Sequence, residues 1–292
     1  MNGIILINKP KDYTSHDIVS IAKKSLKEKM GHTGTLDPNA TGVLPLLIGD
    51  ATKISKYLIN HDKIYIATLK LGIKTDTLDS TGKILEETKV DTNDLKKRVQ
   101  NVLNQFIGKC EQYPPMYSAI KVNGKKLYEY ARSNKQVEIQ PRKIHIYNIE
   151  LLEVDEKNKE IRYKVECSKG TYIRTLCEDI ANKLGTIGIM KELQRIKVGE
   201  FEINNTVTVE ELKRYEEDKE KIENKIITIE QIFKNKEKIE LDNKQLQLFL
   251  NGVKLTMNLK DDIYRVYNNS KFIGLGIVNK NLLKRDVIIK ED

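Results

Sequence analysis

A segment that combines glycines, threonines and one carboxylate is the part of the sequence that most suggests chemistry. It runs from Gly31 to Gly42 and reads GHTGTLDPNATG, and Asp37 is its one Asp, Glu, Lys or Arg in a chain of which 32% is charged. Its glycines complete neither a mononucleotide-binding loop nor a dinucleotide-binding fingerprint. Pro38 disfavours the α conformation at Asp37 and so restricts where the carboxylate points. The pattern alone fits either a catalytic carboxylate in an enclosed loop or a long surface loop.

Arg174 is the second residue in an unusual position. An alternating strand, residues 163–167, leads into an expected helix that ends at Gly185. If Thr171 caps this helix, Arg174 occupies its third position, where the helix dipole favours anions by about 0.3–1 kcal/mol. The cation is then either held by a fixed carboxylate or phosphate or simply solvated, and the sequence leaves both open.

Aromatic side chains in two segments could contact nucleobases. Tyr65 lies in an alternating strand, residues 63–71, on the same face as Ala67 and Leu69. It is either a core aromatic or a flat platform for a base extruded from RNA. Residues 112–132 interleave tyrosines with lysines and an arginine, which suits stacking on bases beside phosphate contacts.

Hydrophobic spacing predicts the elements that would position these residues. The apolar run 4–7 indicates a buried strand. Thr14-Ser15-His16-Asp17 resembles a capping box in front of a helix. Asn93 is expected to cap another helix, whose apolar stripe consists of Leu95, Val99, Val102, Leu103 and Phe106. Strands and helices alternate without an internal repeat, which favours a mixed α/β fold.

The last third of the chain changes in composition. Residues 210–238 are rich in Lys and Glu and contain no Gly or Pro, so we expect a charged helical connector over 210–233. Apolar stretches on both sides of Asn268-Asn269-Ser270 predict a β-hairpin. Short strands in residues 234–292 suit a small β-barrel-like domain. The predicted domains are therefore 1–233 and 234–292.

Composition narrows the class of protein. The 292 residues include 51 Lys and Arg against 42 Asp and Glu, a net charge of +9. This favours a polyanionic partner, although a Lys-rich surface without nucleic-acid function explains it equally well. Cys110, Cys167 and Cys177 form no C-x-x-C pair and the four histidines show no ligand spacing, so no metal site is expected. Without a signal-peptide pattern or an apolar run near the roughly 20 residues of a membrane span, we expect a cytoplasmic protein.

Several of these segments together resemble the TruB family of tRNA pseudouridine synthases. The segment from Gly31 to Gly42 matches the family motif GHTGTLDP-x-ATG almost letter for letter. The resemblance covers residues 1–201 strongly, and the tail resembles the family's small RNA-binding domain only weakly. The other matching blocks are Ile7-Asn8-Lys9-Pro10 with Thr14-Ser15, Lys63-x-Tyr65 with Thr75-Asp76-Thr77-x-Asp79, Tyr113-Pro114-Pro115-x-Tyr117 with Leu127 to Arg132, and Cys167 to Leu176.

The resemblance implies roles for particular residues. By position in the motifs, Asp37 is the catalytic carboxylate, Arg174 pairs with it and Tyr65 packs on the target uracil. The fold it implies is α/β (α+β), with a mixed, mainly antiparallel sheet, flanking helices and a small C-terminal PUA-like β-barrel domain. The implied substrate-binding positions are His32, Tyr172, Leu193, Lys53 and Lys9.

The implied reaction converts the T-loop uridine of tRNA, position 55, to pseudouridine. The bond from ribose C1′ to N1 breaks, the uracil turns, and C1′ joins C5. No electron, phosphate or carbon is exchanged, so neither a cofactor nor a metal is expected. Asp37 acts as nucleophile or as base, and the sequence does not choose between them. Arg174 is expected to keep Asp37 ionised by lowering its pKa.

The implied partner is the T arm of tRNA, bound by a monomer that needs no protein partner and no membrane. The chain departs from the family pattern where Gln194 stands in place of an Arg, and where Asn134 and Ile139 replace a Gly and an Arg. These changes concern contacts of an RNA-binding loop. Two rival classes are a non-catalytic RNA-binding protein and a related synthase that works inside a guide-RNA particle.

Overall fold

The computed structural model describes residues 1–133 and 135–289, so Asn134 and the last three residues of the predicted C-terminal domain lie outside the described residues. The larger sheet and its two small satellite hairpins take up the chain as far as residue 208. The strands of the larger sheet are β1 (Gly3–Lys9), β2 (Met30–His32), β3 (Thr41–Ile48), β4 (Lys63–Leu71), β7 (Gly108–Gln112), β10 (Arg142–Asp155), β11 (Glu160–Cys167), β12 (Gly188–Val198), β13 (Phe201–Glu202) and β14 (Val207–Thr208). The two hairpins consist of β5 (Ile73–Thr75) with β6 (Ile84–Glu87), and of β8 (Lys121–Val122) with β9 (Lys125–Lys126).

A smaller sheet and the helices complete the fold. Its strands are β15 (Lys238–Glu240), β16 (Leu255–Thr256), β17 (Asp262–Asn268), β18 (Lys271–Asn279) and β19 (Leu282–Ile288). The helices are α1 (Ser15–Leu26), α2 (Ser55–Leu58), α3 (Leu95–Asn104), α4 (Leu127–Arg132), α5 (Ile173–Lys183), α6 (Val209–Lys213), α7 (Lys219–Glu223), α8 (Ile229–Ile232) and α9 (Asn243–Leu250), with 3-10 turns at Gly49–Ile54 and Ile203–Asn205.

The larger sheet is mixed and mainly antiparallel, as predicted. Its strand order is β14-β1-β3-β12-β4-β11-β10-β7, and β2 and β13 pair at the side with β3 and β12. The β1–β14 and β3–β12 pairs are parallel, and the remaining pairs are antiparallel. β12 therefore joins the half of the sheet that contains β1 and β3 to the half that contains β4, β11 and β10.

One face of the second half is covered by α3 and α5. The predicted strand 63–71 is β4, and its alternation buries Tyr65, Ala67 and Leu69 against these helices. The predicted apolar stripe of α3 is buried as well, apart from the partly buried Phe106. Period-2 and period-3.6 spacing thus identified the core correctly.

Helix caps were predicted with mixed success. Thr14 and Asp17 form the expected capping box at α1. The cap predicted at Asn93 is wrong, because α3 begins at Leu95 and the preceding Asp94 adopts a left-handed conformation without a side-chain cap. The cap proposed at Thr171 is also wrong, because α5 begins at Ile173. Side chains that cap helices also hydrogen-bond nearby turns, so the sequence does not fix which role they adopt.

The C-terminal part forms a curled five-stranded sheet in the order β15-β17-β18-β19-β16, consistent with a PUA-like domain. The predicted hairpin is β17–β18, with Asn269 and Ser270 at positive φ in its turn. The expected helical connector consists of the short helices α6, α7 and α8, and its apolar residues pack into the core instead of forming one solvated helix. Across residues 1–133 and 135–289, no helix is long and apolar enough to cross a membrane.

Candidate active site

Asp37 lies in the connection between β2 and β3, where several hydrogen bonds fix the main chain. The Asp37 carbonyl accepts from Ala40 N–H, and the Pro38 carbonyl accepts from Asp12 N–H. Gly42, the second residue of β3, has φ +104°, and a Cβ there would lie 2.1 Å from the Arg195 carbonyl oxygen. Only glycine therefore allows β3 to approach β12 this closely.

Arg174 binds Asp37, as predicted. The Arg174 Nε lies 3.0 Å from Asp37 Oδ2. The other guanidinium nitrogens donate to the Thr77 carbonyl (3.1 Å) and the Tyr117 carbonyl (2.9 Å). The Arg174 side chain is 7% exposed, whereas the Asp37 side chain is 39% exposed. A buried, fixed cation thus holds a carboxylate that a substrate can still reach.

A second carboxylate lies next to Arg174. The Asp79 Oδ2 is 3.9 Å from Arg174 Nε, and Asp79 is buried. Its Oδ1 accepts hydrogen bonds from Thr77 Oγ1, Thr81 N–H and Thr81 Oγ1 at 2.6–2.9 Å. Asp79 was part of a matched motif but was not predicted as a site residue, because its distance from Arg174 depends on the packing of the 75–82 turn against α5.

The charge state of Asp37 reflects opposed influences. Burial raises its pKa above the ordinary range, Arg174 lowers it, Asp79 raises it and Lys9 lowers it. The net pKa shift is upward, because burial outweighs the cations. The predicted lowering of the pKa by Arg174 is confirmed as one of these influences, although the net shift is upward.

Tyr65 and Leu193 face the same core as Leu36, the neighbour of Asp37. In the β4–β12 pairing, Tyr65 lies opposite Arg195 and Leu193 lies opposite Ala67. Burial raises the pKa of Tyr65 to about 12, while the nearby Arg195 charge opposes part of that rise, so the phenol is neutral at pH 7. Both residues thus share a core with the neighbour of Asp37, and their roles at the site stay predictions.

Lys9 supports the loop from below. It is fully buried, and its Nζ donates to the carbonyls of Pro10 (2.8 Å), Tyr13 (2.7 Å) and Pro38 (3.1 Å). Burial lowers its pKa to about 8. All three ammonium donors are therefore used by the protein, and the geometry favours support of the Asp37 loop over the predicted substrate contact.

His32 and Tyr172 are the next two residues that were predicted to bind the substrate. His32 ends β2, and its buried Nδ1 has no hydrogen-bond partner within the described chain. Burial, Arg195 and His16 lower its pKa, so its imidazole is neutral at pH 7. Tyr172 precedes α5, and its main chain pairs with the Gln112 amide at 2.8 and 3.0 Å.

Lys53 lies elsewhere. Its Nζ contacts Asp50 Oδ1 at 2.5 Å and the Ile288 carbonyl at 3.3 Å, at the junction with the smaller sheet. The structure shows no contact between Lys53 and Asp37, and its role in substrate binding stays a prediction. No group of three or more potential metal-ligating side chains occurs among the residues that the structure describes.

Sequence reasoning missed two buried residues that contact the loop, Ser15 and Arg195. Ser15 Oγ hydrogen-bonds the main chain of Leu36, and Arg195 donates to the carbonyls of Gly34 and Thr35. The available signal for Arg195 was its place in a strand, on the same face as Leu193, where an apolar residue is the usual choice.

Comparison with known proteins agrees with this geometry. Residues 23–173 match the family described as TruB family pseudouridylate synthase (N terminal domain), and residues 174–234 match the tRNA pseudouridylate synthase B C-terminal domain. The chain is 48% identical over 291 residues to a tRNA pseudouridine synthase B of Clostridium tetani, covering 97% of this chain and 98% of the relative. A protein of the same name from Oceanobacillus iheyensis is 46% identical and covers 88% of this chain and 85% of its own length.

Solved structures with a similar fold are more distant. A chain of a Cbf5-Nop10-Gar1 complex has a TM-score of 0.68 at 24% identity, covering 99% of this chain and 84% of that one. A chain of an H/ACA RNP bound to a substrate RNA containing 2′-deoxyuridine has a TM-score of 0.69 at 23% identity, with 99% and 86% covered. At these identities the likeness concerns the fold alone. With its matched family segments, its relatives and its Asp37–Arg174 pair, the chain belongs to the TruB family of pseudouridylate synthases.

Proposed function

We propose that Asp37 is the carboxylate with which this chain, a tRNA pseudouridine synthase, isomerises the T-loop uridine at position 55. The observation that supports this most directly is the 3.0 Å ion pair between a partly exposed Asp37 and a buried Arg174. The proposed isomerisation exchanges no electrons or groups with a second molecule, so an ionised carboxylate that faces an extruded nucleoside can carry it out without a cofactor. The pair supplies that carboxylate in a fixed direction.

The neighbouring residues divide the remaining tasks. Arg174 keeps Asp37 in place and opposes the rise in its pKa. The Tyr65 ring, neutral at pH 7, offers a surface on which the detached uracil can turn without leaving. His32, Tyr172 and Leu193 extend the contact surface for the nucleotide. Asp37 attacks C1′ or removes a proton from the ribose, and both routes need the same geometry.

Three further proposals concern the domain boundaries, the oligomeric state and the location of the protein in the cell. We place the catalytic domain in residues 1–233 and a PUA-like RNA-binding domain in residues 234–292, supported by the separation of the two sheets between α8 and β15. The chain acts on the T arm of tRNA as a monomer, without a protein partner. A cytoplasmic location is supported by the free thiols of Cys110, Cys167 and Cys177.

Replacing Asp37 tests the central proposal. In Asp37→Asn, release of tritium from C5-labelled uridine in a T-arm transcript should fall by at least about 10³-fold, because the amide can neither attack nor accept a proton. Binding of unmodified tRNA should persist. Asp94→Asn, at an exposed position without a side-chain cap, is the matched control and should release label normally. Normal release by Asp37→Asn would remove this residue from the chemistry.

Replacing Arg174 tests the ion pair. Arg174→Lys keeps the charge but cannot reach Asp37, Thr77 and Tyr117 together, so we expect about a 10²-fold lower single-turnover rate constant. Near-normal turnover would contradict the proposed pairing.

Activity on protein-free tRNA separates the rivals. The purified chain alone should form pseudouridine at position 55 of a tRNA transcript, detected by site mapping, and should elute as a monomer. A need for a guide RNA or an added protein would favour the particle-bound class, and binding without conversion would favour a non-catalytic RNA-binding protein.

A further inference from the structure

The main chain just before Asp37 is held by a serine at the start of α1. Ser15 is 3% exposed. Its Oγ accepts a hydrogen bond from Leu36 N–H at 2.8 Å and donates to the Leu36 carbonyl at 3.1 Å. One hydroxyl therefore satisfies both polar main-chain groups of the residue adjacent to the catalytic carboxylate.

The preceding two residues are held by an arginine from β12. Arg195 is 1% exposed, and within the described chain it forms no ion pair with a carboxylate. Its Nη2 donates to the Gly34 carbonyl (3.2 Å), its Nη1 to the Thr35 carbonyl (3.3 Å) and its Nε to the Val43 carbonyl (2.8 Å). These hydrogen bonds of the buried guanidinium all go to main-chain oxygens. Burying a charge without a carboxylate partner lowers stability, so we infer that the position of these oxygens matters.

Side chains, and not the backbone of a strand or helix, provide these hydrogen-bond partners for the main chain of residues 34–36. Residues 34–36 belong to no strand or helix, yet their carbonyls and the Leu36 N–H receive side-chain partners from two separate elements. Buried main-chain groups need such partners. Because Pro38 limits the conformation on the other side, residues 34–36 set where the Asp37 side chain leaves the backbone.

We propose that Ser15 and Arg195 are positioning residues for Asp37: they fix residues 34–36 so that the carboxylate stays aligned with Arg174 and with the reacting ribose. This role rests on the proposed function of Asp37. Neither residue needs to touch the RNA. Misplacing a reacting group by about 1 Å can cost about 10²-fold in rate, so loss of either side chain should slow the reaction more than it weakens binding.

Ser15 can be tested separately from the stability of α1, because the neighbouring Thr14, and not Ser15, caps this helix. Thr14 caps α1 through Asp17 N–H, and the Ser15 hydroxyl is used entirely on Leu36. Thr14→Ala should therefore lower the melting temperature without touching the loop, whereas Ser15→Ala should release Leu36. The two substitutions are adjacent and each removes one hydroxyl.

The experiment measures the single-turnover rate constant at saturating enzyme, the Kd for unmodified T-arm RNA and the melting temperature. We expect Ser15→Ala to lower the rate constant about 10- to 100-fold, with Kd within about threefold of the unsubstituted protein. Thr14→Ala should keep the rate constant within about twofold despite a lower melting temperature. An unchanged rate in Ser15→Ala, or equal losses in both variants, overturns the proposal.

Arg195→Lys extends the test, because lysine retains the positive charge but lacks the planar guanidinium that reaches several carbonyls at once. Its rate constant should fall at least as far as that of Ser15→Ala, while the control Arg214→Lys, at an exposed arginine that follows α6, should leave the rate constant unchanged. If Arg195→Lys does not fold, the Ser15 and Thr14 pair decides. If the unsubstituted protein makes no pseudouridine at all, the proposed function fails. If it is active and Ser15→Ala equals it, only the positioning role fails.

Discussion

At the scale of single residues, burial and neighbouring charges have opposite effects on the pKa of the Asp37 carboxylate. Burial and Asp79 raise its pKa, and Arg174 and Lys9 lower it, with burial the largest influence. A carboxylate whose folded pKa exceeds its unfolded pKa is less stable as an anion in the folded protein than in water. Ionised Asp37 therefore lowers the folding stability at pH values above its folded pKa. This loss of stability decreases as the pH falls from the folded pKa to the unfolded pKa, and it is absent at lower pH. In the proposed reaction this cost is the consequence of keeping the Asp37 anion in a partly enclosed site.

The pH profile of turnover should report this balance. The single-turnover rate constant should fall as pH decreases through the raised pKa of Asp37, which lies above the value of about 3.9 for an exposed Asp. Asp79→Asn removes one of the influences that raise the Asp37 pKa, so the acidic limb should move to lower pH. The measurement is a rate profile at saturating enzyme, with Kd determined at each pH. An acidic limb that does not move in Asp79→Asn would contradict this account of the charge.

At the scale of elements, the sequence predicts what depends on local periodicity. Alternation placed Tyr65 on the buried face of β4, and spacing placed the stripe of α3 in the core. Family motifs indicated that Asp37 and Arg174 meet, and the structure confirms it. The contacts of Arg195 were not predicted, because they follow from the parallel pairing of β12 with β3 and its antiparallel pairing with β4. Such long-range register is not encoded in any single stretch.

The meeting of β3 and β12 makes a prediction about Gly42. Gly42→Ala would place a methyl group 2.1 Å from the Arg195 carbonyl oxygen, at φ +104°. We expect a loss of about 2 kcal/mol or more in the free energy of unfolding, measured by chemical denaturation, together with a lower turnover rate. Gly108→Ala is the control, since Gly108 has φ +116° and open space around its Cβ position. It should lose only the cost of the backbone conformation, and equal losses in both variants would disprove the close-approach explanation.

At the scale of the whole molecule, the two sheets share a core. Leu275 and Val287 of the smaller sheet pack in the same buried cluster as Leu47 and Val198 of the larger one. The Tyr57 hydroxyl also donates to Asp286 Oδ2 across the junction at 2.5 Å. The smaller sheet therefore packs on the face of the β1–β3 half that lies away from α1.

That charge predicts how RNA binding responds to salt. With a net charge of +9, binding of a T-arm RNA to Asp37→Asn should weaken steeply as salt rises, by about 10³-fold between 50 and 200 mM if six phosphates are contacted. Lys121 and Lys125 of the β8–β9 hairpin are exposed. The ring of the nearby Tyr128 lies 5.4 Å from Lys126 Nζ and 5.4 Å from the Arg132 guanidinium carbon. This arrangement suits stacking on a base beside a phosphate.

Substitution of one hairpin lysine should change the slope of that response. Lys125→Gln should lower the magnitude of the slope of log K against log salt by about 1, the loss of one phosphate contact. Lys96→Gln, an equally exposed position on α3, is the matched control and should leave the slope unchanged. Because both substitutions remove one charge, a difference between them reports a local contact and not net charge. A flat salt response, or equal slopes in both variants, would show that this hairpin is not part of the RNA-binding surface.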